Sequence, residues 1–366
     1  MRKRQIRRAW FQLSQVTAVL LIMLCLPSLV TAGTTDNWQS LTEAGIAARE
    51  QARYGDAERL FLLAGREAER FDPDDPRVAA TLNHLGLVHH AQGQHARAKP
   101  YYERALARWE RVFGSDHPDV ASALHNLAGI HLEEGSFDQA EAYYRRSLQI
   151  GERVLGHGHH ELAIGYNSLA SLYRQQGRLV QAEATFHLAL ALLKGVEGMG
   201  SVDPAPIVNN LAALYKEKGL YAYAEPLYLH ALSFRRARLG GHHPAVAISL
   251  NNLANLYHAQ GLSEPADRYY REALEVSEAA SGSEAALTGT ILGNWAWLLH
   301  ERGLGDEAKL RYERALVIQQ QTLGRHHPMV AVLLDRYAGL LHDLGQPVEA
   351  RLFAGRAAAI RAQQTN

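Results

Sequence analysis

Residues 250–274 read LNNLANLYHAQGLSEPADRYYREAL. Leu250, Leu253, Ala254 and Tyr257 fall at steps of three, one and three, which puts them on one stripe of an α-helix. Gly261 ends that helix, because glycine takes the left-handed conformation at little cost. Ala266, Tyr269, Tyr270, Ala273 and Leu274 then form a second stripe of the same spacing. The stretch therefore predicts two antiparallel helices joined by a tight turn.

The same arrangement extends in both directions. Gly93, Gly135, Gly177, Gly219, Gly261, Gly303 and Gly345 are spaced 42 residues apart, and five residues after each stands Ala98, Ala140, Ala182, Ala224, Ala266, Ala308 or Ala350. Seven residues before each is Gly86, Ala128, Ala170, Ala212, Ala254, Ala296 or Ala338. An earlier repeat, Trp38 to Arg70, fits with Ala52 at the turn and Ala57 in the alanine column, so eight repeats are expected. Small residues let paired helices approach to roughly 8–10 Å, with Tyr101, Tyr143, Tyr215 and Tyr257 expected to fill the spaces between them. One pair cannot bury its stripe alone, so neighbours must stack into a curved solenoid with a concave surface and no separate globular domains.

NLANLYHAQG (252–261), followed by Ala266, Tyr270 and Ala273, resembles the tetratricopeptide repeat, whose usual period is about 34 residues. The 42-residue period, the doubled Asn251-Asn252 and the loops GSDHP (114–118), GGHHP (240–244) and GRHHP (324–328) are similar to the longer repeats of kinesin light chains. HEAT and armadillo arrays have periods of about 40–47 residues, but the glycine-then-alanine spacing favours the tetratricopeptide reading. The resemblance covers about 38–361 and implies an all-α, right-handed superhelical solenoid of eight antiparallel helix pairs. The sequence offers no coiled-coil arm of the kind light chains use to join a motor, so motor-cargo transport is not expected.

Of the 38 Lys+Arg in the 366 residues, five lie in the first eight; residues 33–366 hold 33 basic against 38 acidic residues, a formal charge of −5. That body lacks the clustered cations that nucleic acid requires. Cys25, the single cysteine, sits in the apolar run Val16–Val30, between a basic head and Val30-Thr31-Ala32. This pattern predicts a signal peptide over 1–32 cut after Ala32, and a cysteine-free mature chain over 33–366 that is periplasmic or secreted. A stable span would need about 20 apolar residues, and Pro27 interrupts this shorter run. Leu24 stands where a lipoprotein signal wants a small residue, and no Ser or Thr precedes Arg7-Arg8 as a twin-arginine signal requires.

No phosphate loop, Gly-x-Ser-x-Gly elbow or His-Glu-x-x-His helix is present, so neither catalysis nor a cofactor is expected. The 19 histidines are unusual. Many lie in the loops between repeats, and His157, His159 and His160, with His117 from the adjacent repeat, are candidate metal ligands. Alternatively these histidines serve the loops, each placing an imidazole beside the start of the next helix; Ser201 and Ala285 interrupt their column.

The resemblance implies that the first helix of each pair lines the groove through positions ten, nine, six and three residues before the turn glycine. These positions hold Asn167, Asn209 and Asn251 in one column and Asn126, Asn210, Asn252 and Asn294 beside it. Their amides can pair with the backbone of an extended peptide, or alternatively bond neighbouring repeats together. Arg174 and Lys216 offer permanent cations for acidic side chains, and His258, His300 and His342 titratable ones. Asn255 and Trp297 interrupt a column of small residues, and Trp297 is an anchor candidate or else packs on Trp295. The expected function is an exported scaffold holding a protein or peptide in its groove. The alternatives are a periplasmic metal-binding protein and a small-ligand carrier. Glycines between Lys194 and Val202 suggest a flexible joint or a longer ordered loop, and Arg351, Arg356 and Arg361 suggest a polar terminal surface.

Overall fold

The computed structural model describes residues 34–72, 74–194 and 203–363. The proposed signal peptide, its cleavage site and the glycine-rich stretch at 195–202 lie outside them. Sixteen helices and no strands occur among the described residues. They are α1 (Thr34–Glu50), α2 (Tyr54–Ala68), α3 (Pro76–Ala91), α4 (His95–Phe113), α5 (Pro118–Glu133), α6 (Phe137–Leu155), α7 (Leu162–Gln175) and α8 (Leu179–Lys194). After these come α9 (Ala205–Glu217), α10 (Tyr221–Leu239), α11 (Pro244–Ala259), α12 (Ser263–Ser281), α13 (Ala286–Glu301), α14 (Gly305–Thr322), α15 (Pro328–Asp343) and α16 (Pro347–Ala362). Contacts divide the chain into two compact units, one up to Gln176 and one from Gly177. The first packs α1 on α2, α3 on α4 and α5 on α6; the second packs α9 on α10, α11 on α12, α13 on α14 and α15 on α16. The fold is an all-α repeat of helical hairpins.

Each turn glycine does what its position predicts. Gly261 has φ 73°, its N–H bonds the His258 carbonyl, and the next N–H, of Leu262, bonds the Tyr257 carbonyl. This pair of bonds is the Schellman closure, and it recurs at Gly93, Gly135, Gly219, Gly303 and Gly345. Ala52 occupies the corresponding turn at φ 56°, the only positive value at a non-glycine among the described residues.

The small columns mark close helix approach, but the residues filling the space differ from expectation. Tyr101, Tyr143 and Tyr257 are half-buried. Tyr215 is buried, but the buried aromatic column of the second helices lies one residue after Tyr101 and Tyr143, at Phe61, Tyr102, Tyr144, Phe186, Tyr228, Tyr270 and Tyr312. A Cβ at Gly86 would stand 2.5 Å from the Tyr102 ring, because the small residue of the first helix makes room for the aromatic of the second. Tyr215 and Tyr257, which lie on first helices, reach across the seam between one pair and the next. Within a pair His131 stacks on Tyr143 and Tyr257 stacks on Tyr269, and across the seam the Tyr257 hydroxyl donates to Glu225 at 2.6 Å. Tyr173 to Glu141, Tyr215 to Glu183 and Trp295 to Asp267 repeat that polar link. Toward the last helix, Arg351 and Arg361 are exposed, and Arg361 pairs with Asp335.

No helix of the described residues is long and apolar enough to cross a membrane.

Candidate functional site

Within each unit the first helices also touch one another, α1 with α3 and α3 with α5, then α9 with α11, α11 with α13 and α13 with α15. Their shared face carries the asparagine columns, and a bonding rule governs it. The residue nine before one turn glycine reaches back to the residue ten before the preceding one, a separation of 43. Asn126 Nδ2 donates to Asn83 Oδ1 at 2.8 Å, Ser168 Oγ lies 3.5 Å from His125 Nε2, and Asn294 Nδ2 donates to Asn251 Oδ1 at 3.2 Å. One repeat later the acceptor position is Gly293, which has no side chain, and Arg336 bonds Asn294 Oδ1 at 3.2 Å instead. Asn126, Asn251 and Asn294 thus tie neighbouring repeats together, the alternative role open to them.

The rung between Asn209 and Asn252 is different. Asn209 Oδ1 is buried without a hydrogen-bond partner, so this carbonyl is an acceptor without a donor. Asn252 beside it is half-buried, as is Asn210. Asn255 Oδ1 accepts from the Tyr270 hydroxyl at 2.6 Å, which fixes the amide and turns its NH2 away from the core.

Trp297 is 39% exposed on this face. It packs edge-on against His258 with ring centroids 4.9 Å apart, and the Arg336 guanidinium lies 4.2 Å over its ring. Trp295 is buried, with its own partners Asp267 and Arg311. Arg336, unforeseen in the sequence, therefore links the amide ladder to the exposed indole. Its place nine residues before Gly345, in the column of Asn126 and Asn294, is the signal in the sequence that points to it.

The column three before the glycine is also paired. His258 Nε2 lies 2.9 Å from Glu301, His300 Nε2 lies 2.8 Å from Asp343, and His90 Nε2 lies 3.1 Å from Glu133. Each of these imidazoles already faces a carboxylate of the next repeat, which screens it from an acidic ligand. His342 is exposed. Arg174 ends the first-helix face of the first unit, and Lys216 lies near the end of α9 in the second.

The loop histidines act as helix caps. Nδ1 of His117 accepts from Asp119 N at 3.2 Å, that of His243 from Ala245 N at 3.1 Å, and that of His327 from Met329 N at 3.1 Å. His159 makes the same step to Glu161 N at 3.3 Å. Asp75 caps α3 in this way, and Asp203 bonds Ala205 N at 2.8 Å, two residues beyond the Ser201 that the column pointed to. Burial lowers the pKa of His117 and of His243, and nearby Arg235 lowers that of His243 further. Both shifts favour the neutral ring that a cap needs. His159, His160 and Glu161 come within 4.8 Å of one another. His157 is highly exposed and lies near Glu152.

A depression of about 760 Å³ is lined by Leu229, His230, Leu232, Ser233, Arg236 and Ala237 of α10 alone. One helix gives a surface dent and not the enclosing cage a small-ligand carrier uses.

No curated protein matches the chain. Among solved structures, a tetratricopeptide repeat protein from Parabacteroides merdae is 19% identical, with a TM-score of 0.50 over 82% of this chain and 99% of that one, and shares the fold. BtubC (BKLC) from P. vanneervenii is 24% identical with a TM-score of 0.48 over 64% of this chain and 92% of that one. A putative kinesin light chain from Podosopora anserina with nearly identical TPR-like repeats is 20% identical with a TM-score of 0.45, over 56% and 96%. Sequence models of the tetratricopeptide repeat match residues 77–150, 119–195, 204–279 and 287–363, and the chain belongs to that family.

Proposed function

We propose that this protein is an exported, non-catalytic scaffold that holds an extended segment of a protein partner on the first-helix face of its second unit. The observation that carries the reading is the unmade rung at Asn209 and Asn252: elsewhere such amides bond each other, but here a buried carbonyl has no donor. A backbone N–H of a bound strand supplies that donor, and the Asn252 amide meets the strand's next carbonyl. Trp297, held by Arg336, offers a flat apolar anchor for a partner side chain. Lys216 favours an acidic residue at the α9 edge. Export rests on the basic and apolar pattern of residues 1–32.

A photo-crosslinking residue placed at Trp297 or Asn252, with Leu310 on α14 as the control, tests the site in the native envelope. Leu310 is 67% exposed. A common partner captured from the first two positions and not from Leu310 supports the reading. Capture from Leu310 alone assigns binding to the second helices and overturns it. Recovery of the chain beginning at Gly33 from the soluble envelope fraction tests export, and a retained Met1 contradicts it.

A further inference from the structure

Three side chains from three consecutive helices of the first unit converge on one point. His90 lies in the last turn of α3, His95 opens α4, and Glu133 closes α5. His90 Nε2 is 3.1 Å and His95 Nδ1 is 2.8 Å from the same oxygen, Glu133 Oε2, and one ligand atom from each residue falls within 4.8 Å of the others. We propose that His90, His95 and Glu133 form a binding site for a divalent transition metal, with zinc the best fit.

The donor set supports this assignment. Two imidazoles and one carboxylate with a further position open are a recurrent zinc arrangement, and such nitrogen-rich sets select transition metals over calcium or magnesium. Ligand atoms around a tetrahedral zinc with bonds of about 2.0–2.1 Å stand roughly 3.3 Å apart, so small side-chain rotations admit the ion. His95 Nδ1 is buried and makes no hydrogen bond. A bare ring nitrogen 2.8 Å from a carboxylate oxygen is repulsive unless a proton or a cation lies between them, and zinc supplies that charge. Glu133 is fit for the role. It remains 47% exposed, which leaves one side open to water or to another ligand.

A further polar group lies behind the site. The buried Tyr102 hydroxyl lies 3.5 Å from His90 Nδ1, where it accepts the ring proton once Nε2 holds the metal. The repeat itself supplies an internal control. The same histidine–carboxylate pair recurs at His258–Glu301 and His300–Asp343, but where the first site has His95, two residues after the turn glycine, those repeats have Ser263 and Gly305. Only the first pair gains a third ligand.

The test uses untagged protein stripped with chelator and then titrated with Zn²⁺ by calorimetry, with Co²⁺ absorption reporting the coordination geometry. One zinc per chain should bind, with a tetrahedral Co²⁺ spectrum. His95→Ser, which copies the residue at the equivalent place in another repeat and should fold, is expected to weaken binding by at least about tenfold. Glu133→Gln should do the same, while a His159→Ala/His160→Ala double variant binds like the parent. The assignment fails if the parent does not bind zinc, if both His95→Ser and Glu133→Gln retain parental affinity, or if affinity is lost only in the His159/His160 variant.

Discussion

Asn294 donates its side-chain amide to Oδ1 of Asn251 at 3.2 Å, across 43 residues in a 42-residue repeat. The extra residue links one repeat to the next, and it makes the bond structural. Asn251 is only 7% exposed, so Asn294→Ala strands a buried acceptor and also removes the Oδ1 that Arg336 uses. The expected cost is about 1–3 kcal/mol. Asn209→Ala removes an acceptor that already lacks a donor and should cost far less. Denaturant unfolding of both variants, followed by tryptophan emission from α13, distinguishes them, and equal losses would contradict the unmade rung.

The turn column predicts a pair of opposite effects. A Cβ at Gly261 meets nothing within 4 Å, so Gly261→Ala is penalised only by its φ of 73°. Left-handed backbone costs an L-residue about 1–2 kcal/mol. Ala52 already carries that penalty at φ 56°. Ala52→Gly should therefore stabilise the first unit by up to about 1 kcal/mol, the gain being offset in part by the greater freedom of glycine when unfolded. Thermal melting should shift upward for Ala52→Gly and downward for Gly261→Ala.

The capping histidines make helix starts sensitive to acid. His243 accepts from Ala245 N only while Nδ1 is unprotonated, and burial, then Arg235, lowers its pKa in the folded chain. The cap's contribution is complete above the unfolded value of about 6.5 and is lost as pH falls through the lower folded value. His243→Asp should keep a cap worth about 0.5–2 kcal/mol and move the loss to lower pH. Asp75 illustrates this at α3, where its hydrogen bond from Arg77 lowers its pKa despite burial. Melting temperatures of parent and variant measured between pH 7.5 and 5 should diverge as the solution is acidified.

The helices, their turns and the pairing of small with large residues were legible because a 42-residue register repeats the same backbone solution seven times. Local spacing does not separate adjacent residues on one helix face, however, so it points to Tyr101 where Tyr102 fills the Gly86 space. The site was legible in its residue types but not in their partners. Asn294 and Asn251, His258 and Glu301, and Arg336 and Trp297 meet only when repeats stack, and the one-residue offset that pairs the first two couples is a property of packing and not of any single repeat. The capping role of the loop histidines is legible in the sequence because it is local: a side chain bonds the N–H two residues on. His95 carries no signal in the sequence, because its column holds no other histidine.

The two units should differ in their response to acid. In the first, His84 and His125 occupy the first-helix ladder, His84 stacked on Phe61 with centroids 4.9 Å apart and His125 edge-on to Tyr144 at 5.1 Å. Burial lowers each pKa to about 4, with Arg49 adding to the effect at His84 and His90 at His125. In the second unit the same two columns hold Asn209 and Asn210, then Asn251 and Asn252, which do not titrate. Because each folded pKa lies below the unfolded value of about 6.5, the stabilisation is full above pH 6.5 and disappears progressively as pH falls toward 4. Each histidine contributes on the order of 1–3 kcal/mol at neutral pH relative to pH 4. Hydrogen exchange at pH 7.5 and at pH 5, compared at equal intrinsic rates, should therefore show protection falling in α3 and α5 before α11 and α13. His84→Asn with His125→Asn, the residue these columns use elsewhere, should remove most of that difference. If the double variant loses protection in the first unit at pH 5 as the parent does, the acid sensitivity arises outside the ladder, and the capping imidazole of His117 becomes the group to replace next.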